Sequence, residues 1–78
     1  MVAYKGHTER INTVAWSPDG KQIASGSDDH TIHILEVATG RLIYTYTKHT
    51  EGVNVVAWAS DGTRIVSADC DVHIWQAI

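Results

Sequence analysis

The chain has 78 residues, a formal net charge of −3 and 44% hydrophobic residues. That apolar content excludes a disordered tail, and no apolar run approaches the ~20 residues of a membrane-spanning helix. The mild acidic balance argues against a general binder of nucleic acid or of an anionic membrane surface. Met1-Val2-Ala3-Tyr4-Lys5 lacks the apolar centre of a signal peptide. The single cysteine, Cys70, leaves no disulfide framework and no cysteine zinc site. A free thiol in a reducing, cytoplasmic compartment is the expectation.

Every predicted element is a short strand. Residues 1–5 are the first. Ile11–Trp16 follows, rich in apolar and β-branched residues, and Ser17-Pro18-Asp19-Gly20 then turns the chain. There proline presets φ and glycine supplies a left-handed residue. Lys21–Ser27 and Thr31–Val37 come next, then the turn Ala38-Thr39-Gly40 and the strand Arg41–Thr47. Val53–Trp58, the turn Ala59-Ser60-Asp61-Gly62, Thr63–Ala68 and Asp71–Gln76 complete the chain. The strands are apolar or small on both faces, as suits sheets covered on both sides.

The second half repeats the first. At an offset of 42, residues 7–25 and 49–67 agree at 11 of 19 positions without a gap. The same offset lays Tyr4 on Tyr46, and so residues 1–5 on 43–47. Beyond Ser67 the offset falls to 40, which matches Asp29–Leu35 with Asp69–Trp75. The second copy has therefore lost two residues between Ser67 and Asp69. A period near forty marks a repeat architecture.

These residues resemble the WD-repeat (Trp-Asp repeat) β-propeller family. Gly6-His7, Val14-Ala15-Trp16-Ser17-Pro18-Asp19-Gly20, Ile23-Ala24-Ser25-Gly26-Ser27-Asp28-Asp29 and Thr31-Ile32-His33-Ile34 carry the resemblance over essentially the whole chain. Leu35-Glu36 and Trp75-Gln76 depart from the Trp-Asp ending, and Lys48 replaces the glycine before His49. The resemblance implies an all-β fold of two four-stranded blades and a non-enzymatic protein-interaction scaffold. It also implies a structural hydrogen-bond relay of His7, Ser25 and Asp29 in the first copy. In the second the relay would be His49, Ser67, Asp69 and Trp75. Leu35 has no indole N–H, so the first relay is expected to end at Ser25. The second is expected to suffer from the shortening, since only Ala68 separates Ser67 from Asp69.

Laid onto the blade pattern, residues 1–5 are an outer strand without its own blade. Residues 6–47 are a whole blade, and 48–78 are a blade lacking its outer strand. An open edge recruits other chains, and two blades alone cannot close a ring of about 4–8. The expectation is head-to-tail self-assembly into a homo-oligomer, with four chains giving eight blades or three giving six. Val2, Ala3 and Tyr4 of one copy would pair with Val72, Ile74 and Gln76 of the next.

Other chemistry has a plainer reading beside it. Ser25, His7 and Asp29 are triad residue types, yet their duplication suits architecture better than catalysis. His30, His33 and His73 could gather a metal on a symmetric ring, but no ligand spacing is present. A hydrolytic or histidine metal site is thus the alternative, and no metal, catalytic residue or cofactor is assigned. Trp16, Trp58, Tyr44 and Tyr46 are read as packing between blades, and Asn12 and Asn54 as a matched polar pair. Thr8, Glu9, Arg10, Asp28, His30, Thr50 and Glu51 fall in loops at one end. They are the candidate surface for another protein or peptide.

Overall fold

The computed structural model describes residues 6–77. Residues 1–5, and with them the pairing expected of Val2, Ala3 and Tyr4, lie outside the described residues. The described residues form seven strands: β1 (Ile11–Trp16), β2 (Gln22–Ser27), β3 (Ile32–Glu36), β4 (Leu42–Tyr46), β5 (Val55–Trp58), β6 (Arg64–Ala68) and β7 (Val72–Gln76). They make a four-stranded sheet in the order β1-β2-β3-β4 and a three-stranded sheet in the order β5-β6-β7. All pairs are antiparallel.

The turns follow from their residues. Gly20, Gly40 and Gly62 sit at φ of 73°, 72° and 75°, the left-handed region where a side chain is strained. Asp19 Oδ1 accepts from Ser17 Oγ and from the Lys21 amide. Asp61 Oδ1 accepts from the Thr63 amide and hydroxyl. These bonds hold both carboxyls below the usual range.

The register decides which residues meet. Thr13 pairs with Gly26, and Ala15 with Ala24; Gly26 pairs onward with Ile32, and Ala24 with Ile34. These residues share one face of the first sheet because strand side chains alternate. The second sheet packs on that face. The core is Ala24, Ile32 and Ile34 from one sheet with Val53, Val56 and Ile65 from the other. Val53 departs from the expected strand Val53–Trp58, which begins instead at Val55. The reason is that its N–H donates to Ser27 O of the first sheet.

Glycine sets the spacing of the two sheets. A Cβ built on Gly26 would lie 2.6 Å from Val53 Cγ1 and 2.9 Å from Thr13 Cγ2. Trp58 Nε1–H donates to Ala15 O across the seam at 3.0 Å. Asn12 Nδ2 donates to Asp28 Oδ1 at 2.6 Å and to Val53 O at 3.0 Å.

Candidate functional site

Each sheet carries a buried relay on the face that looks back along the chain. In the first sheet His7 Nδ1 lies 3.0 Å from Asp29 Oδ2, and His7 Nε2 lies 2.7 Å from Ser25 Oγ. His7 Nδ1–H donates to the Asp29 carboxylate, which leaves Nε2 of the neutral ring to accept from the Ser25 hydroxyl. Thr8 N–H also donates to Asp29 Oδ2, and Thr31 donates its amide and hydroxyl to Oδ1. Burial works against the Asp29 carboxylate, but the donors Thr31, His7 and Thr8 outweigh it. They hold its pKa far below the ordinary range.

The second sheet repeats this arrangement and adds an indole. His49 Nε2 lies 2.7 Å from Ser67 Oγ, and Trp75 Nε1–H donates to the same oxygen at 2.9 Å. His49 Nδ1 comes 3.1 Å from Asp69 Oδ2, an ion-pair distance without good hydrogen-bond alignment. The amide of Asp71 holds the Asp69 carboxyl far below its ordinary range, against burial and with help from His49 and Thr50. The two missing residues leave the Ser67 bonds of the second relay intact, but its His49–Asp69 contact lacks the hydrogen bond that His7 makes to Asp29. Gly26 pairs with Ile32 across a five-residue turn, and Ala68 pairs with Val72 across three. The loss is absorbed in the turn, and the carboxylate keeps its place by capping the residue two further on: Thr31 in one copy and Asp71 in the other.

Stacked imidazoles were not foreseen from the sequence. His33 lies on His7 with centroids 3.8 Å apart, and His73 on His49 at 3.9 Å. Burial, aided by His7, lowers the His33 pKa, and the Asp29 charge offsets this only in part. Tyr46 of β4 reaches into the second sheet. Its ring stacks on Trp75 at 4.2 Å, and its hydroxyl lies 2.9 Å from His73 Nδ1. Histidines at matching positions of the two copies, His7 with His49 and His33 with His73, are the sequence signal that could have found these stacks.

Ligand atoms of His49, Asp69 and His73 all lie within 4.8 Å of one another. They are poorly disposed for a metal. The two rings are only 8° from parallel, so their in-plane lone pairs run side by side and do not converge. The serines are poorly disposed for nucleophilic attack, since Ser25 is 3% and Ser67 0% exposed.

The loop residues gather at one end. Asp28 N–H donates to Arg10 O, Ser27 Oγ to Glu9 O, and the Thr8 and Thr50 amides to the relay carboxylates. His30 completes its turn at a φ of 74°. Glu51 beside Cys70 raises that thiol's pKa, which disfavours the reactive thiolate. Asp28 accepts from Asn12 and lies against Gly52 of the second repeat, so it is part of the seam rather than a free loop residue.

Two antiparallel sheets, each with a His–Ser–Asp relay and a β-turn of matching sequence, coincide with one family model. It is described as WD domain, G-beta repeat, and it matches residues 1–35 and 40–76. The chain belongs to that family. Among solved structures, the WD40 repeats of RRP9 superpose with a TM-score of 0.88 at 29% identity, over 94% of this chain and 24% of that one. A chain of a mitotic checkpoint complex gives 0.86 at 29% identity, over 95% and 24%. A ribosome biogenesis protein BOP1 homolog of Leishmania infantum is 49% identical over 43 residues, 55% of this chain and 5% of that protein. The ribosome biogenesis protein ERB1 of Debaryomyces hansenii is 51% identical over 41 residues, 53% and 5%. The chain thus spans about a twentieth of the curated relatives it matches. The two sheets are WD-repeat blades, called blade one and blade two below.

The outward faces of the blades decide what they can do. Val14 and Trp16 of blade one are 62% and 60% exposed, whereas Val56, which matches Val14 at the offset of 42, is 5% exposed in the inner seam. Val72 and Ile74 of blade two are each 69% exposed. Their counterparts Ile32 and Ile34 in blade one are 0% and 1% exposed. Each open face therefore reproduces one half of the seam that is already closed inside the chain.

Proposed function

We propose that the chain is a non-enzymatic protein-interaction scaffold whose blades associate head to tail with further copies into a closed propeller. The observation that carries this reading is the matching of the faces. Val14 and Trp16 of one copy fit the outward face of blade two of another, as Val56 and Trp58 fit blade one inside the chain. The Trp16 indole would find Ala57 O as Trp58 finds Ala15 O. The outer edge of β7 is unpaired among the described residues, and an added strand would satisfy its backbone groups.

Magnitudes favour a ring over a single contact. Val55, Val66, Val72 and Ile74 are between 37% and 69% exposed. Completing their burial offers about 5 kcal/mol. Association costs ~4–15 kcal/mol. One seam is therefore weak. A closed ring is stable because its last seam forms within one particle and avoids that cost. Contacts of this head-to-tail kind close when the rotation allows it, and three or four copies would give six or eight blades.

The loop end carrying Thr8, Glu9, Arg10, His30, Thr50 and Glu51 is the surface we assign to an external protein or peptide. Ribosome biogenesis, named for the relatives, is not transferred. The matched stretch is one repeat long, so it carries the blade and not the process. The hydrolytic and metal alternatives are disfavoured by the buried serines and the parallel histidine rings.

The test is the native mass of the purified chain. A particle of three or four times 8.6 kDa is expected. A folded particle of 8.6 kDa at all concentrations refutes self-assembly.

A further inference from the structure

The seam inside the chain can be copied between chains except at its loop end. Inside, Gly52 lies so close to Asp28 that an added Cβ would come 2.8 Å from Asp28 Oδ1. Asp28 in turn accepts from Asn12, and Ser27 O accepts from Val53 N–H. Blade two has no counterpart of Ser27 or Asp28, because those are the two residues missing from the second repeat. Ala68 stands for Gly26 and Val55 for Thr13. On the approaching blade one, Ile11 stands for Val53 and Arg10 for Gly52. A methyl group and a larger isoleucine thus meet where glycine and valine already touch. That seam must stand wider at its loop end.

Arg10 is placed to fill the gap. It occupies the position of Gly52, opposite the room that Asp28 takes up inside. The shortened turn facing it is Asp69-Cys70-Asp71. The Asp69 carboxylate is held by His49 and the Thr50 amide. Asp71 is exposed, and its amide rather than its carboxylate serves the turn. Arg10 is exposed and makes no ion pair among the described residues.

We propose that Arg10 of one copy pairs with Asp71 of the next, in place of the contact of Gly52 on Asp28 that closes the inner seam. The proposal rests on the self-assembly reading above. It makes the two kinds of seam respond differently to salt. The inner one is packed around Gly26 and Val53 and holds no ion pair among the described residues, and the outer one carries an exposed ion pair that salt screens.

Sedimentation velocity over a dilution series at about 50 mM and about 500 mM sodium chloride tests this. Arg10→Gln or Asp71→Asn should raise the concentration of half-dissociation about fourfold at low salt. Either change should also flatten its salt dependence. The double variant should be no weaker than either single one, and the swapped pair, Arg10→Asp with Asp71→Arg, should restore assembly. Single variants that match the parent in affinity and salt dependence overturn the pairing while leaving self-assembly intact. Additive single effects, or a swapped pair that fails to recover, also overturn it. A parent that remains a folded monomer removes both readings.

Discussion

Replacing Gly26 by alanine tests how the two blades are joined. The second repeat carries Ala68 at this position, so the sequence alone makes alanine look harmless. The structure says otherwise. The new methyl carbon would lie 2.6 Å from Val53 Cγ1, 2.9 Å from Thr13 Cγ2 and 3.1 Å from Val53 Cβ. These are branched side chains close to the backbone, and Val53 is 0% exposed. Thr13 is in the same blade and must turn aside, whereas relief from Val53 must come from moving blade two, which also lengthens the Val53–Ser27 and Trp58–Ala15 hydrogen bonds. Overpacking of this kind costs about 1–3 kcal/mol. Alanine returns ~0.4–1 kcal/mol by restricting the unfolded chain, since Gly26 needs no left-handed backbone. The net expectation is a loss of about 1–2 kcal/mol. That is a fall in Tm of roughly 4–15 °C for a domain this size. The assay is thermal and urea unfolding followed by tryptophan fluorescence at one fixed protein concentration, because association shifts apparent stability. Adding Val53→Ala should recover part of the loss. A Gly26→Ala chain as stable as the parent refutes the close approach at Gly26.

Three further outcomes follow from the relays and the open face. Ser67→Ala strands both the Trp75 N–H and His49 Nε2, whereas Ser25→Ala strands only His7 Nε2. The first should cost about 2–4 kcal/mol and the second about 1–2 kcal/mol. Equal losses in urea unfolding argue that the indole does not bridge to the serine. The His33 pKa is depressed below its ordinary 6.5, so the unfolded chain takes up the proton first. Its contribution is intact above that value and is lost as pH falls below it. Tm should therefore be level near pH 8 and decline below about pH 6.5, with His33→Gln flattening the decline. A second fall below about pH 4 comes from Asp29 and Asp69, whose depressed pKa values stabilise the fold only while they stay ionised. A Tm that does not move between about pH 7.5 and 5.5 contradicts the His33 assignment. Ile74→Lys should leave the single chain within about 0.5 kcal/mol of the parent, because the side chain is 69% exposed. It should nonetheless lower the native mass to one chain, and an unchanged mass would sink the head-to-tail contact.

The sequence by itself determined the strands, the turns and the doubling. Those depend on local chemistry: Gly20, Gly40 and Gly62 at left-handed positions, carboxylates capping turns, and β-branched runs between them. Which histidine, serine and carboxylate would meet was also legible, through the resemblance to the WD-repeat family, which implies a relay at those positions. The fate of the second relay was not. Counting residues between Ser67 and Asp69 pointed to a harmed relay, but the loss falls within a turn that shortens with only the His49–Asp69 alignment given up. Only the folded chain decided that Asn12 clamps Asp28, that Tyr46 stacks on Trp75, and that Gly26 and Gly52 lie where Cβ atoms have no room. The first joins two parts of one blade, and the others join residues far apart in the chain, at distances set by how two sheets pack. The open faces belong to that level too, since Val14 and Val56 read alike in sequence. A neighbouring blade covers one of them and leaves the other in water.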